Sequence, residues 1–279
     1  MSSVAPDSRI DGAEPEPATS APVVTVLGLG EAGGRLARDL VRIGVEVHGY
    51  DPLVVSAPAG VLQAGDPAAA VSGSTVVLAL TTASTAVAAA ESALPGLRTG
   101  AIYADLNTTS PALKQDVAAL VAGADAGFAD VALLGPVPER GLETPALASG
   151  PGAQAFAEVL GPLGMPVEVV SDRPGDAATL KLLRSVFMKG LAASVLESLR
   201  AADAAGHAPW LEAEIADVIG EPLLERLVVG SRRHAARRVD EMEAARDLLL
   251  ELGVEPRIVA ASVSVLAELT TDRSVDGRW

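Results

Sequence analysis

Short apolar runs rich in Val, Ile and Leu alternate with segments of helical spacing through the first 170 residues. The strand candidates are residues 23–28, 45–50, 75–80, 100–104, 127–133 and 166–171. Segments with helical spacing lie between them, near residues 33–43, 84–93, 110–123 and 152–160. This alternation predicts a mostly parallel sheet with helices on both faces, in which ligands bind at the carboxyl ends of the strands.

From Gly175 onward the apolar positions follow helical spacing only. Residues 176 to about 205 predict one helix of about 45 Å. Its apolar stripe consists of Ala177, Leu180, Leu183, Phe187, Leu191, Val195 and Leu199. Further helices are expected near residues 209–219, 221–229, 231–252 and 256–270, with breaks at Gly220, Gly230 and Gly253.

The two patterns together predict an α/β fold. An N-terminal Rossmann domain, which is a doubly wound parallel sheet, is expected over residues 23–173, and an all-helical C-terminal domain over residues 174–279. Residues 1–22 are rich in Ser, Ala, Pro and acidic residues and lack apolar periodicity, so a disordered tail is predicted there.

The most informative stretch follows the first strand, where Gly28, Gly30 and Gly33 form a G-x-G-x-x-G motif. The first glycine permits a tight turn, the second leaves room for a pyrophosphate, and the third lets the helix pack close to the strand. Free N–H groups at the helix start attract phosphate. The strand before the motif, the helix after it and Asp51 at the end of the next strand favour dinucleotide binding over an unrelated glycine-rich turn.

Asp51 also indicates which dinucleotide binds. It lies 23 residues after Gly28 and can accept hydrogen bonds from the adenosine ribose hydroxyls. A carboxylate repels a 2′-phosphate, and no Arg or Lys follows within residues 52–55. NAD is therefore the expected cofactor, with NADP as the alternative.

The amino-acid composition limits the kinds of molecule that the protein is expected to bind. The net charge of −15 argues against nucleic acid, whose phosphates need a basic surface. There is no cysteine, and the three histidines lack metal-ligand spacing, so no metal site is expected. The uncharged segment between Asp66 and Glu91 is interrupted by Pro67, Gly73 and several Thr and Ser residues, so we expect no membrane span. No signal peptide pattern is visible at the N-terminus, and a cytoplasmic protein is expected.

Polar residues follow the strand candidate at residues 100–104. Asn107, Thr108 and Thr109 stand where a ligand would lie. Ser110 before Pro111 is typical of a helix start, so capping explains Ser110 as well as ligand contact does. Near the start of the long helix, Lys181 is a candidate to exchange a proton with a substrate beside a nicotinamide, although a helix Lys is usually a solvated side chain.

Three segments together resemble one known family. The segments are GLGEAGG at 28–34, DLNTTSP at 105–111 and GDAATLKLLRS at 175–185. They are similar to the β-hydroxyacid dehydrogenase superfamily, which includes 3-hydroxyisobutyrate and 6-phosphogluconate dehydrogenases. The resemblance spans about residues 23–270, and the C-terminal part is similar to a branch with a domain of unknown function of the DUF1932 type. The family pairs a Rossmann domain with a helical domain and uses one helix Lys as general acid/base.

The resemblance implies roles for individual residues. The pyrophosphate turn would consist of Gly28, Leu29, Gly30, Glu31, Ala32 and Gly33, and other cofactor contacts would come from Leu80, Thr81 and Thr108. Lys181 corresponds to the catalytic lysine, and Ser185 stands where the family has Asn. The family's Ser-Gly-Gly substrate clamp falls near residues 134–136, which are Leu-Gly-Pro here, so an altered carboxylate clamp is implied. The family's C-terminal Lys-Asp pair falls near Glu241 and Met242.

A basic cluster on one predicted helix is a candidate replacement for that clamp. It consists of Arg232, Arg233, His234, Arg237 and Arg238. Guanidinium groups suit carboxylate or phosphate, but intrahelical pairing of Arg237 with Glu241 is the more ordinary interpretation. The candidate substrate contacts are Asn107, Thr109, Ser185, His234, Arg237 and Arg238.

The expected function is that of an NAD(P)-dependent oxidoreductase. It would act on the CH–OH or carbonyl group of a small anionic, hydroxy acid-like substrate, with Lys181 as general acid/base. An imine reductase of the same build is one alternative, and a non-catalytic NAD-binding regulator is another. The apolar stripe of the long helix and the family resemblance suggest a homodimer through the C-terminal domain.

Overall fold

The computed structural model describes residues 21–271, so residues 1–20 of the expected tail and residues 272–279 lie outside the described residues. The strands are β1 (Val23–Leu27), β2 (Glu46–Tyr50), β3 (Leu62–Gln63), β4 (Val76–Ala79), β5 (Ile102–Asp105), β6 (Gly127–Leu133), β7 (Ala146–Ser149) and β8 (Val167–Ser171). The helices are α1 (Glu31–Arg42), α2 (Pro67–Val71), α3 (Ala86–Ala93), α4 (Pro111–Ala122), α5 (Val137–Arg140), α6 (Ala153–Leu160), α7 (Asp176–Ala204), α8 (Ala208–Ile219), α9 (Glu221–Arg233), α10 (Ala235–Glu251) and α11 (Arg257–Thr271).

The eight strands form one sheet in the order β3-β2-β1-β4-β5-β6-β7-β8. Every neighbouring pair is parallel except β6 with β7. The chain leaves β1 in one direction toward β2 and later returns to its other side at β4, so the switch point of the sheet lies at the end of β1. The predicted Rossmann domain followed by an all-helical region is confirmed.

Alternate residues of the central strands pack into two apolar layers on opposite faces of the sheet. In β4, Val76 and Leu78 belong to one layer, and Val77 and Ala79 belong to the other. A strand that is buried on both faces reads as a continuous apolar run, which explains why the central strands were visible in the sequence. A third apolar cluster joins α7 to α9, α10 and α11.

The sequence pattern missed four short elements, namely β3, α2, α5 and β7. Strand β7 has the sequence Ala-Leu-Ala-Ser, which carries no β-branched residue. It is a strand because β6 and β8 pair with it on both sides. Tertiary pairing therefore overrides a weak local preference at this position.

Helix α7 has the predicted extent, and Ala177, Val195 and Leu199 of the predicted stripe are buried, but between residues 180 and 187 the buried face is rotated from that stripe. Leu180, Leu183 and Phe187 are 42%, 39% and 68% exposed, whereas Leu182 and Leu196 are buried. The rotation arises because Leu182 packs on Ala245 and Leu248 of α10. None of the helices in the described part of the chain is long and apolar enough to cross a membrane.

The basic cluster is divided between two helices, so its prediction on one helix was wrong. Helix α9 continues through Gly230 to Arg233, and the break falls at His234. At Gly230 a Cβ atom would lie 3.0 Å from Arg238 Nη2, so this glycine makes room for a guanidinium of the next helix rather than ending its own.

Candidate active site

The glycine turn after β1 combines two tight contacts with one open position. A Cβ atom on Gly28, whose φ is 95°, would lie 2.3 Å from the Leu80 carbonyl oxygen, and one on Gly33 would lie 1.9 Å from the Gly28 oxygen. At Gly30 nothing lies within 4 Å of that position. Helix α1 begins at Glu31 without a side-chain cap on its N-terminus, so its free N–H groups face this opening. The turn therefore fits a pyrophosphate.

Asp51 braces the glycine turn from the end of β2. Its Oδ2 accepts a hydrogen bond from the Leu29 N–H at 2.7 Å, and its Oδ1 accepts one from the Leu53 N–H at 2.8 Å. Each carboxylate oxygen has a second lone pair, so ribose hydroxyls can still donate to Asp51. The residue thus has a structural role in addition to its predicted role in cofactor binding.

Lys181 and Thr108 meet at the carboxyl ends of the strands. Lys181 Nζ donates a hydrogen bond to Thr108 Oγ1 at 2.7 Å, from the second turn of α7 to the loop after β5. Asn107, Thr109 and Ala178 line the same cleft. The Thr109 hydroxyl is buried and has no hydrogen-bond partner among the described residues.

Predicted cofactor and substrate residues adjoin one another beside this cleft. Thr81, which follows β4, places its Oγ1 3.5 Å from Asn107 Oδ1. Ser110 caps α4, since its Oγ accepts a hydrogen bond from the Leu113 N–H at 3.3 Å. The predicted capping role of Ser110 is therefore confirmed.

The ammonium group of Lys181 is held in surroundings that favour its neutral form. Burial lowers the pKa of Lys181, Glu241 raises it, and the positive charges of Lys114, Lys189 and Arg237 lower it further, to about 8. The side chain keeps part of its surface accessible, while its nitrogen lies among these charges in the cleft. A group with a pKa near neutrality is suited to both donating and accepting a proton.

Glu241 of α10 is held by two residues of α7. Its Oε1 accepts hydrogen bonds from Lys189 Nζ at 2.9 Å and from the hydroxyl of Ser185. Burial raises the pKa of Glu241, but the charges of Lys189 and Lys181 and the bond from Ser185 outweigh it and lower the pKa to about 2. The structure thus places the candidate substrate residue Ser185 in a buried position, in contact with Glu241 and Lys189.

A buried ionic group adjoins the cleft, and one of its members, Asp130, lines the cleft. Lys114 Nζ lies 3.3 Å from Asp105 Oδ1 and 3.2 Å from Asp130 Oδ1, and all three side chains are almost fully buried. Asp130 Oδ2 accepts hydrogen bonds from the Gly175 N–H at 3.2 Å and the Ala178 N–H at 3.0 Å, while Ser149 Oγ accepts from Ala177. Residues of β6 and β7 thus cap the helix that carries Lys181.

The residues of the basic cluster have different surroundings: Arg237 acts on Lys181, whereas Arg238 takes part in the packing of α9 against α10. Arg237 is exposed and its charge acts on Lys181. Arg238 Nη1 instead donates to Ser231 Oγ at 2.6 Å, across the break between α9 and α10. Burial and the neighbouring arginines lower the pKa of His234, while the charge of Glu31 at the glycine turn opposes that shift. The charge of Arg237 thus reaches Lys181, whereas His234 interacts with Glu31 at the glycine turn.

Sequence reasoning did not identify Lys114, Asp130 or Lys189, and it met Asp105 and Glu241 only as positions of family motifs without assigning them a role. Two signals could have found part of this set. Asp130 stands inside an otherwise apolar strand, and a charge at such a position is rarely buried without a partner. The second signal is the scarcity of lysine. The chain has three lysines, at positions 114, 181 and 189, and 18 arginines.

Comparison with known proteins identifies the family. Residues 23–160 match the NAD-binding domain of 6-phosphogluconate dehydrogenase, and residues 202–269 match the domain of unknown function DUF1932. The conserved protein MTH1747, whose structure is similar to 3-hydroxyacid dehydrogenases, is 30% identical, with 89% of this chain and 97% of that chain covered and a TM-score of 0.71. The chain belongs to the β-hydroxyacid dehydrogenase superfamily. It carries an NAD(P)-binding domain of this superfamily and belongs to the branch that contains DUF1932.

Two further known proteins are similar to this chain. An uncharacterised 28.5 kDa protein of Methanothermus fervidus is 28% identical over 171 residues, which are 60% of this chain and slightly under two thirds, 66%, of that protein. The Mycobacterium tuberculosis 3-hydroxyisobutyrate dehydrogenase, solved with L-serine, has the same fold at 18% identity, with a TM-score of 0.78 and 91% and 95% of the two chains covered.

The open position in the glycine turn leads to a first prediction. We expect Gly30→Ala to leave the free energy of unfolding within about 1 kcal/mol of the wild type, since the protein leaves this space empty. The same methyl group should weaken NADH binding at least about tenfold, because it occupies the path of the pyrophosphate. Titration calorimetry measures the affinity. Gly65→Ala, at an exposed glycine with equal free space, is the control, and equal affinities of the two variants for NADH would contradict the assignment.

The lowered pKa of Glu241 gives a stability prediction. The carboxyl group of Glu241 has a pKa of about 2 in the folded chain and 4.5 in the unfolded chain. The stability that it contributes is therefore present above pH 4.5 and is lost as the pH falls from 4.5 to 2. We expect Glu241→Gln to lower the free energy of unfolding at pH 7 by about 2–3 kcal/mol and to remove this part of the acid transition. Urea denaturation across this pH range measures both effects.

A matched glutamate provides the control for that experiment. Glu268 forms an ion pair with Arg200, but its side chain is 62% exposed. We expect Glu268→Gln to change stability by less than about 0.5 kcal/mol. An equal loss in the two variants would show that the environment of Glu241 is not special.

Proposed function

We propose that the chain is an NAD(P)-dependent oxidoreductase that interconverts an alcohol and a carbonyl group, with Lys181 as general acid/base. The observation that carries the proposal is the hydrogen bond from Lys181 Nζ to Thr108 Oγ1, in a cleft at the carboxyl ends of the strands. A lysine with a pKa of about 8 can both give and take a proton near neutral pH. Lys181 and the family membership therefore support the same reaction class.

These contacts suggest a separate role for each part of the chain. Gly30 and the N-terminus of α1 hold the pyrophosphate, and Asp51 receives the ribose. Bound NAD(P) supplies or accepts the hydride. Lys181 Nζ donates a proton to the substrate oxygen in reduction and removes it in oxidation, while Thr108 accepts its hydrogen bond and orients it. We assign residues 23–173 to cofactor binding and the helices from residue 174 onward to the substrate.

The exposed Arg237 supports an anionic substrate. Lys114 is paired with Asp105 and Asp130, and Lys189 is paired with Glu241, so these charges largely offset one another, whereas the charge of Arg237 acts on Lys181. Arg237 is exposed and is able to bind a carboxylate or phosphate in bidentate fashion. We therefore propose a small hydroxy acid-like substrate whose anionic group is held by Arg237 and His234, with Asn107 and Thr109 as further contacts.

Replacement of the lysine tests the mechanism. We expect Lys181→Met to bind NADH within about threefold of the wild-type affinity and to lose at least about two orders of magnitude in kcat, because only the proton transfer is removed. In the wild type, oxidation should accelerate as pH rises through about 8, where Lys181 becomes a base, and reduction should slow over the same range. Stopped-flow absorbance of NADH follows both directions.

Controls and a substrate panel separate the alternatives. Arg257→Met, at an exposed cation of α11, should retain wild-type turnover. Imine reductases share this fold, so a panel of hydroxy acids, oxo acids and cyclic imines shows which bond is reduced. Full turnover by Lys181→Met would exclude its proton transfer. Tight NADH binding without turnover of any panel member would support a non-catalytic regulator.

We also propose that two chains pair through their helical regions. Leu180, Leu183 and Phe187 lie on one side of α7 and are substantially exposed for apolar side chains. Phe187→Glu should therefore shift the molar mass from that of a dimer to that of a monomer, whereas Leu53→Glu, at an exposed leucine of the sheet domain, should not. Light scattering coupled to gel filtration measures the mass, and a dimer that persists in Phe187→Glu would place the interface elsewhere.

A further inference from the structure

The three lysines of the chain lie together. Lys114 and Lys189 both act electrostatically on Lys181, and the remaining basic residues of the sequence are arginines. Lys181 contacts Thr108, and Lys189 contacts Glu241. Lys114 is the third, and nothing in the proposed reaction uses it.

Lys114 bridges the two elements that meet at the Lys181–Thr108 contact. On one side its Nζ donates to the main-chain oxygen of Asp105 at 2.6 Å. Asp105 in turn uses Oδ1 to accept hydrogen bonds from the Asn107 N–H at 2.9 Å and from Asn107 Nδ2 at 2.7 Å. The shape of the loop that carries Thr108 is thus set from beneath by Lys114 and Asp105.

On its other side Lys114 holds the residue that caps α7. Its Nζ lies 3.2 Å from Asp130 Oδ1, while Asp130 Oδ2 accepts the N–H groups of Gly175 and Ala178. Lys181 follows Ala178 by three residues on the same helix, which is less than one turn. If Asp130 moves, the start of α7 therefore moves as well, and with it the backbone that carries Lys181.

Local helix packing does not account for a cation at position 114. Lys114 lies on the buried face of α4 with Val117 and Val121, where an apolar residue would be usual. Its side chain is 1% exposed. An apolar residue there would leave two buried carboxylates close together without a counter-ion, which is strongly unfavourable. The ammonium group is what allows Asp105 and Asp130 to occupy adjacent strands.

We propose that Lys114 is a positioning residue for Lys181, which fixes both the loop of Thr108 and the start of α7 through its contacts with Asp105 and Asp130. The proposal rests on the proposed function only in naming Lys181 as the catalytic group. The positioning itself is a property of the folded chain and can be measured without substrate.

Removal of Lys114 should change the charges around Lys181 and so raise the pKa of its ammonium group. Lys181 faces Glu241 and Arg237 from α10, Lys189 from its own helix, Lys114 from α4 and the cleft-lining Asp130 from β6. Lys114→Met removes one of the positive charges and leaves Asp105 and Asp130 without their counter-ion. The pKa of Lys181 should therefore rise by about one unit. The scarcity of lysine makes this titration simple, because lysine-labelled protein gives only three side-chain signals.

The experiment compares two lysine variants by NMR in protein labelled with 13C and 15N. We expect Lys114→Met to raise the pKa of Lys181 and to speed hydrogen exchange of the Gly175 and Ala178 amides at least about tenfold, since their acceptor is no longer held. Lys189→Met is the matched control. It also removes a cation that acts on Lys181, but it does not touch Asp130, so the exchange of those two amides should remain as in the wild type.

A second variant keeps the test decisive if Lys114→Met does not fold. Lys114→Met combined with Asp105→Asn removes one cation and one anion, so the net charge of the buried group is unchanged. The same faster exchange at Gly175 and Ala178 is expected, because Asp130 still lacks its ammonium partner. Wild-type exchange at both amides in either folded variant would overturn the proposal. Full turnover by Lys181→Met would instead overturn the proposed function and leave these measurements intact.

Discussion

The carboxylate of Asp130 joins the sheet to the helix on which the candidate chemistry depends. Helix α7 begins after Gly175, whose φ is 97°, and no side chain of its own cap residue satisfies its first N–H groups. Asp130 and Ser149, from β6 and β7, accept hydrogen bonds from two of those groups, in Ala177 and Ala178, and Asp130 also accepts one from the N–H of Gly175. A negative charge at a helix N-terminus is favourable, and its burial is made possible by Lys114 on the opposite side. The position of Lys181 relative to the sheet follows from this arrangement.

The cofactor turn is positioned by a comparable set of close contacts. Gly28 and Gly33 are places where no Cβ atom could fit, and Asp51 holds the main chain of Leu29 from the neighbouring strand. Gly30 alone in the motif faces open space. The turn and the Lys181–Thr108 contact both lie at the carboxyl ends of parallel strands, near the switch point of the sheet, where ligands of this fold class bind.

The segment that would carry the family's substrate clamp is built differently in this chain. Leu134 donates its N–H to the Pro145 oxygen at 2.8 Å, and Pro136 leads directly into α5. The following residues are tied to the cofactor helix, because Arg35 Nη1 donates to the Pro138 oxygen and Asp39 Oδ2 accepts from the Leu142 N–H. Residues 134–136 therefore offer no side-chain hydroxyl, the N–H of Leu134 is already bonded, and Pro136 has no N–H to donate. This difference is the physical basis for proposing a substrate other than the simple 3-hydroxy acids.

Features that depend on neighbours in the chain could be predicted from the sequence alone. The glycine turn, the Ser110 cap, the central strands and the extent of α7 all follow from local sterics, capping and apolar periodicity. The family motifs also brought Lys181 and Thr108 into one hypothesis. Other features were decided only by the tertiary structure: β7 is a strand through its partners, α7 turns Leu182 rather than Leu183 inward, and α9 ends at Arg233. The group of Lys114, Asp105 and Asp130 belongs to the same class, because a buried charge is stable only beside partners from distant parts of the chain, and no local pattern records which partners those are.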